Sequence, residues 1–454
     1  MRVCFIPIDN RPVCYNLAKD IAEINKDTEL LIPPRDLLGS LTFPAKNTEI
    51  LDWFSNLESV DCAVISLDTL TYGGLIQSRR STETFDEIKN NVLKLKEILN
   101  SKGIKTYAFS SIMRISNNNF NIEEKEYWSE YGEKIFRYSY DCDLKDGLQN
   151  PSDYGIPEEI INDYLTTRKR NFDINKLYLE MQKEGLFETL VFSKDDCAKY
   201  GLNIREANEL KKLGASVQTG ADEIPLTLLA KTINKEVKIF PIYTSPDSKN
   251  LISNYEDIPL EISVKNQIEL AGMKLATDYN NADLVLIINN FDERQGEIVM
   301  KIDTKSFEGT LDLPKDKPYM IADVRFANGA DNNFVQELFK NEYNPDLFYG
   351  YSAWNTTANT LGSLLCAAKF RYNATNYNKD AFEKLQAIRF ADDWAYQANV
   401  RQTLTEPRNI DEDIKTYTEQ INRFLNKNYN YTYTYSWNRL FETEVNCEVK
   451  HEYN

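Results

Sequence analysis

Thr189-Leu190-Val191-Phe192-Ser193-Lys194-Asp195-Asp196 and Ala215-Ser216-Val217-Gln218-Thr219-Gly220-Ala221-Asp222-Glu223 are the two ends of one stretch, residues 189–223, from which the rest of the chain can be read. Each end is strand-like and closes on adjacent carboxylates, and the span between them has helical spacing. Strand, helix and strand in that order make a parallel βαβ unit. In folds built from such units, ligand chemistry sits at the carboxyl ends of the strands. Asp195, Asp196, Asp222 and Glu223 are therefore the candidate catalytic residues. A solvated turn acid, or an Asp capping the next helix, is the plain alternative for either pair alone; repetition on successive strands favours a site.

The same alternation extends outward in both directions. Towards the N-terminus, strands are expected at Val3–Ile8, Glu29–Ile32, Cys62–Leu67 and Lys105–Ser110, with helices over Cys14–Ile24, Lys46–Leu57 and Phe85–Leu99. Towards the C-terminus, strands are expected at Val237–Tyr243, Asp283–Ile288, Tyr319–Ile321 and Leu347–Tyr351. Residues 117–187 are charged, aromatic and helical in pattern, as an insertion over the strand ends would be. From Phe382 the tail is helical, and beyond Asn426 its Asn/Tyr alternation fits a terminal strand. The expected fold is α/β with parallel βα units, either two doubly wound halves or a (β/α) barrel with additions. Its parts are an N-terminal α/β region (1–116), the helical insertion (117–187), a second α/β region (188–375) and a C-terminal helical region and tail (376–454).

Polar residues gather where these strands stop, and they are the candidate substrate-binding set: Asp9, Asn10 and Arg11; Asp68, with Tyr72, Gly73, Gly74 and Arg79 just after it; Arg114; Asp323, Asn328 and Asp331; and Trp354, Asn355 and Asn359. Paired glycines allow close approach of backbone to a ligand, but they also simply make turns. If strand ends share an edge, Asp9, Asp68, Asp222, Glu223 and Asp323 are expected to converge. Gly220 should turn the chain out of its strand, leaving Pro225 in the first turn of the following helix. Glu223 would then be a proton donor whose pKa is raised by burial and by Asp222.

Composition narrows the chemistry. With 454 residues, 42 % of them hydrophobic and 12 % aromatic, the chain can build a large interior. A formal charge of −17 argues against nucleic acid or an anionic membrane as partner. The apolar run after Met1 is too short for a signal peptide or a membrane span, which points to the cytoplasm. Seven dispersed cysteines without a CxxC pair read as reduced thiols. The single histidine, His451, lies in the last four residues, so histidine triads, Cys-His dyads and His-rich zinc sites are not expected. Acid/base work falls to carboxylates, Tyr, Lys or Cys.

At Ile8-Asp9-Asn10-Arg11-Pro12, Ser66-Leu67-Asp68, Tyr72-Gly73-Gly74-Leu75, Ile112-Met113-Arg114, Gly220-Ala221-Asp222-Glu223, Asn328-Gly329-Ala330-Asp331, Trp354-Asn355-Thr356 and Asp392-Asp393-Trp394, the chain resembles a bacterial family known as domain of unknown function 4127. The resemblance spans nearly the whole sequence and implies one full-length unit, without a known reaction. Locally, Gly220-Ala221-Asp222-Glu223 is similar to the Gly-Gly-Asp-Glu signature of certain retaining β-N-acetylhexosaminidases. That similarity implies Glu223 as general acid and Asp222 as orienter of an acetamido group. Asp195-Asp196 resembles the adjacent Asp pair of a related class.

Three functions fit these residues. Glycoside hydrolysis of a small sugar or oligosaccharide needs only carboxylates, and Tyr72, Tyr243, Tyr351 and Trp354 could serve as aromatic platforms. This first reading needs no cofactor and no protein-bound metal. A magnesium-dependent hydrolase or phosphoryl-handling enzyme could use Asp9, Asp68, Asp222 and Asp323, with Arg11, Arg79 and Arg114 holding an anion; the same arginines could instead be buried ion-pair partners. A non-catalytic sugar- or nucleotide-binding protein is the third.

Overall fold

The computed structural model describes residues 1–450, so His451 lies outside the described residues. The chain falls into two compact units. The first comprises Met1–Asn10, Glu29–Pro225 and Tyr255–Asp257; the second comprises Arg11–Thr28, Leu226–Asn254 and Ile258–Asn454.

Six parallel strands form the sheet of the first unit: β1 (Arg2–Ile6), β2 (Glu29–Leu31), β3 (Cys62–Ser66), β4 (Lys105–Ile112), β5 (Thr189–Lys194) and β6 (Ser216–Thr219), in the order β2-β1-β3-β4-β5-β6. β1, β3, β4 and β5 are buried over nearly their whole length. Burial on both faces is what makes a parallel strand read as an unbroken apolar run. The strand order reverses at β1, with β2 on one side and β3 on the other. Such a reversal opens a crevice at the carboxyl ends of β1 and β3, the strands that Asp9 and Asp68 follow.

Between β4 and β5 the chain forms helices over Trp128–Leu144 and Glu158–Lys183. They enclose a core of Trp128, Ile135, Tyr138 and Tyr164, which also takes in Met113 just past β4 and Leu202 at the head of the helix after β5. The insertion is thus anchored to the carboxyl edge of the sheet.

The sheet of the second unit contains β7 (Lys238–Tyr243), β8 (Lys274–Leu275), β9 (Leu284–Asn289), β11 (Tyr319–Asp323) and β13 (Phe348–Ser352), all parallel, in the order β13-β11-β9-β7-β8. Two-residue strands β10 (Gly296–Glu297) and β12 (Phe326–Ala327) pair beside it. Numbered by appearance within the unit, these five strands follow the order 2-1-3-4-5, the pattern that also begins the first sheet. Helices Thr357–Asn373, Lys379–Arg389 and Asp411–Leu425 follow, with a π-helical stretch over Phe390–Asn399, and the described chain ends in the antiparallel pair β14 (Tyr429–Tyr435) and β15 (Thr443–Val449).

Every strand anticipated from the sequence forms, with ends displaced by one or two residues. Residues 67–80 differ from expectation. They are two short helices, Leu67–Tyr72 and Leu75–Arg80, separated by Gly73 and Gly74 at φ +91° and +134°. A Cβ on Gly73 would lie 2.5 Å from Pro44 Cβ and 2.9 Å from Ala45 N, so that glycine serves a turn packed against the 44–45 backbone.

Candidate active site

Three serines mark the carboxyl edge of the first sheet. Ser66 closes β3, while Ser111 and Ser193 are next to last in β4 and β5. Ser111 stands opposite Ser193, and Ser66 stands opposite Phe109, two residues before Ser111. Residues two apart on a strand share a face, as do partners in a parallel ladder, so the three side chains lie on one face of the sheet. All three are buried, and the hydroxyl oxygens of Ser66 and Ser193 make no hydrogen bond among the described residues.

Asp68 joins this row from the first turn of the helix Leu67–Tyr72. Its Oδ2 accepts the Ser111 amide at 2.9 Å, and its Oδ1 makes no hydrogen bond. Complete burial pushes its carboxyl up to about 7, against the pull of the Ser111 amide, the Ser111 hydroxyl and the Arg79 charge. Arg79 is only 2 % exposed, and its Nε and Nη2 also lack hydrogen bonds. Its nearest carboxylates, from Glu123, Glu124 and Asp195, stand at 3.6, 3.6 and 3.8 Å. Those separations give charge compensation without hydrogen bonds of normal length.

Arg114, just past β4, gathers the surrounding acids. It reaches Glu123 at 2.8 Å, Glu124 at 3.1 Å, Asp196 at 3.1 Å and Asp195 at 3.5 Å. Burial works against its charge, but these four carboxylates hold it protonated. Burial likewise raises Asp195, opposed by Arg114 and Arg79. It carries Asp196 to about 7, with the charge of Asp195 adding to the effect. Asp196 nevertheless keeps 37 % of its side chain open, and its backbone sits at φ +39°, a conformation that costs a non-glycine residue strain. An open groove of about 610 Å³, lined by Arg80, Glu124, Tyr127 and Asp163 among others, adjoins the cluster through Glu124.

The turn after β6 takes the form its sequence implied. Gly220 lies at φ +115°, directly past the last strand residue, and Pro225 is in the first turn of the helix Ile224–Thr232. Glu223 folds back over that turn. Its Oε2 accepts the Ala221 amide at 3.1 Å, and a Cβ on Gly220 would lie 1.8 Å from its Oε1. Burial raises Glu223 to about 8, with Asp222 adding to the shift. Asp222 also raises Asp195, so the two acidic pairs share one electrostatic neighbourhood. Lys194 pairs with Asp257, which also accepts the Thr219 hydroxyl at 3.0 Å.

A family model described as a protein of unknown function (DUF4127) matches residues 3–446. The chain belongs to the DUF4127 family. No curated protein matches its sequence. Among the described residues of this DUF4127 chain, no group of three or more His, Cys, Asp or Glu is placed to hold a metal ion. No helix among them is long and apolar enough to cross a membrane.

The remaining candidates divide between the units. Asp9, Asp68, Asp222 and Glu223 belong to the first and Asp323 to the second. Asn10 is held by backbone: its amide donates to Gly39 and its carbonyl accepts from Arg35 Nε at 2.9 Å. Arg11, the first residue of the second unit, pairs with Glu442 at 3.1 Å and lies over the Trp437 ring. Asp323 is fully engaged: Oδ1 accepts Asn289 Nδ2 at 2.8 Å, and Oδ2 accepts the Asp331 amide at 2.8 Å and the Tyr351 hydroxyl at 3.1 Å. Asp331 caps the helix Asn332–Leu338 through the Asn333 amide and also accepts the Phe307 amide at 2.6 Å. Asn328, Asn355 and Asn359 form a chain of side-chain amides between two loops. Of the expected aromatic platforms, Tyr72, Tyr351 and Trp354 are buried, with Tyr351 stacked on Phe390, and Tyr243 is half-buried.

Ser66, Ser111, Ser193, Glu123 and Glu124 were not singled out as site residues in the sequence. A signal for the serines is present: CAVIS, YAFSS and LVFS each place a hydroxyl residue at the tail of an apolar run. A residue that breaks the apolar character of a fully buried strand needs a reason. Glu123 and Glu124 lie in the loop ahead of the helix Trp128–Leu144, where nothing in the local pattern distinguishes them from solvated acids.

Proposed function

We propose that the strand-end cluster of the first unit is the active site of a carboxylate-based hydrolase that cleaves a glycosidic bond. The carrying observation is the pair Asp195-Asp196, crowded by protein and held against Arg114, with Asp196 on strained backbone. Glycoside hydrolysis asks for one carboxyl that holds a proton near neutral pH and a second carboxyl that acts as base or nucleophile. Asp196, at about 7, meets the first requirement. Asp195, beside two guanidinium groups, is the partner. Glu223 also holds its proton near neutral pH, but its carboxyl is turned back on the Ala221 amide, whereas Asp196 is partly open. Asp196 is therefore assigned as donor, with Asp222 and Glu223 as the supporting pair.

A panel of aryl glycosides tests this reading. Asp196→Asn should lower kcat/KM by about 10² to 10⁴, with a smaller loss on a dinitrophenyl leaving group, which departs without protonation. Undiminished turnover in Asp196→Asn ends the donor assignment. Failure of the unaltered protein to cleave any glycoside ends the hydrolase reading.

A further inference from the structure

We propose that Ser66, Ser111, Ser193, Asp68 and Arg79 form a subsite that reads adjacent hydroxyl groups of an uncharged sugar ring. The proposal rests on reading this strand edge as a ligand site, not on the cleavage step. It starts from unmet hydrogen-bonding capacity. The buried hydroxyls of Ser66 and Ser193, one oxygen of Asp68, two nitrogens of Arg79 and Asp195 Oδ2 make no hydrogen bonds among the described residues. Buried polar groups are almost always bonded, and leaving one unbonded costs about 1 to 3 kcal/mol. These atoms cluster at the ends of β3 and β5 and on the helices that follow β3, and Asp68 is tied to the intervening β4 through the Ser111 amide. A shared ligand can engage all of them.

The chemistry of the atoms selects among ligands. Arg79 Nε and Nη2 can only donate, an ionised Asp68 or Asp195 oxygen can only accept, and a serine hydroxyl does both. A carboxylate or phosphate would suit Arg79 and the serines. It would, however, be placed next to a guanidinium that already has three carboxylates within 4 Å. An ammonium would suit the acids but would face Arg79. A hydroxyl donates and accepts at one atom, so it satisfies both sides without adding charge. Neighbouring strands run about 4.8 Å apart, so serines on adjacent strands can each take a different oxygen of one ring.

The experiment is calorimetric titration of the full chain with neutral hexoses, pentoses and inositols, and with the uronate and the amino sugar of the hexose that binds best. The neutral ring is expected to bind most tightly. Ser66→Ala and Ser193→Ala should each weaken it about tenfold, the loss of roughly one hydrogen bond. Because neither hydroxyl is bonded within the protein, both variants should keep the melting temperature of the parent. A uronate or amino sugar that binds more tightly than its neutral parent, affinity unchanged in both serine variants, or no binding by any neutral ring overturns the subsite. If serine variants fall in affinity while no glycoside is ever cleaved, the subsite stands and the hydrolase reading fails. If glycosides are cleaved with full efficiency by both serine variants, the reverse holds.

Discussion

Asp68 and Asp323 invite comparison, since each is a fully buried carboxyl at the carboxyl edge of a sheet with the same opening strand order, and burial pushes each to about 7. Their surroundings differ. Both oxygens of Asp323 are occupied by a side-chain amide, a backbone amide and a tyrosine hydroxyl. Asp68 is engaged by Ser111 alone and keeps one oxygen unbonded, and its neighbours Ser66, Ser193 and Arg79 carry unbonded atoms of their own. A raised pKa therefore does not by itself mark a functional carboxyl. Unmet hydrogen-bonding capacity around it is the stronger sign, because a closed network such as that of Asp323 has no valence left for a ligand.

Substitution should cost most at Asp323. Asp323→Ala would strand the Asp331 amide, Asn289 Nδ2 and the Tyr351 hydroxyl, and should lower the unfolding free energy by about 3 kcal/mol or more. Urea titration monitored by tryptophan fluorescence reads this; a loss under about 1 kcal/mol would mean the network is not structural. Asp331→Ala, which strands the Phe307 and Asn333 amides, should cost about 2 kcal/mol in the same titration.

Stability should also depend on pH. With pKa values moved from 3.8 to about 7, Asp68 and Asp323 bind protons in the folded state that the unfolded chain releases. Their contribution to stability is complete below the unfolded pKa and is lost as pH rises through the folded one. The melting temperature should therefore fall between about pH 4 and about pH 7, and Asp68→Asn should flatten that slope. An unchanged slope in Asp68→Asn would show that its carboxyl is ionised throughout. The smallest effect is expected at Asp68 itself: near pH 6 the Asn variant replaces one neutral group by another and strands nothing, so its unfolding free energy should stay within about 1 kcal/mol of the parent.

The strands were legible because parallel strands buried on both faces must be apolar throughout, and the turns that end them are rich in Gly, Pro and Asp. The turn at Gly220 was legible for a steric reason, since only glycine leaves room for Glu223 to fold back over it. Residues 67–80 were not, because paired glycines mark a break without saying whether helix or loop flanks it. Which acids are closed and which are open could not be read either. Asp68 and Asp323 both follow an apolar run, and their hydrogen-bond partners, Ser111 against Asn289, Asp331 and Tyr351, are supplied by other elements. Nor does a local pattern reveal that residues 11–28, so near the first strand in sequence, are built into the second unit.

That interleaving bears on how the protein can be made. The helix Asn16–Glu23, with Leu17, Ala18, Ile21 and Ala22 on its buried face, packs on helices Thr357–Asn373 and Lys379–Arg389. During synthesis it leaves the ribosome ahead of both partner helices, which begin only at Thr357 and Lys379, while the first unit waits for Tyr255–Asp257 before its own chain is complete. An apolar helical face must therefore remain in water, or in the care of a chaperone, until those helices emerge. No single cut in the chain can release either unit whole.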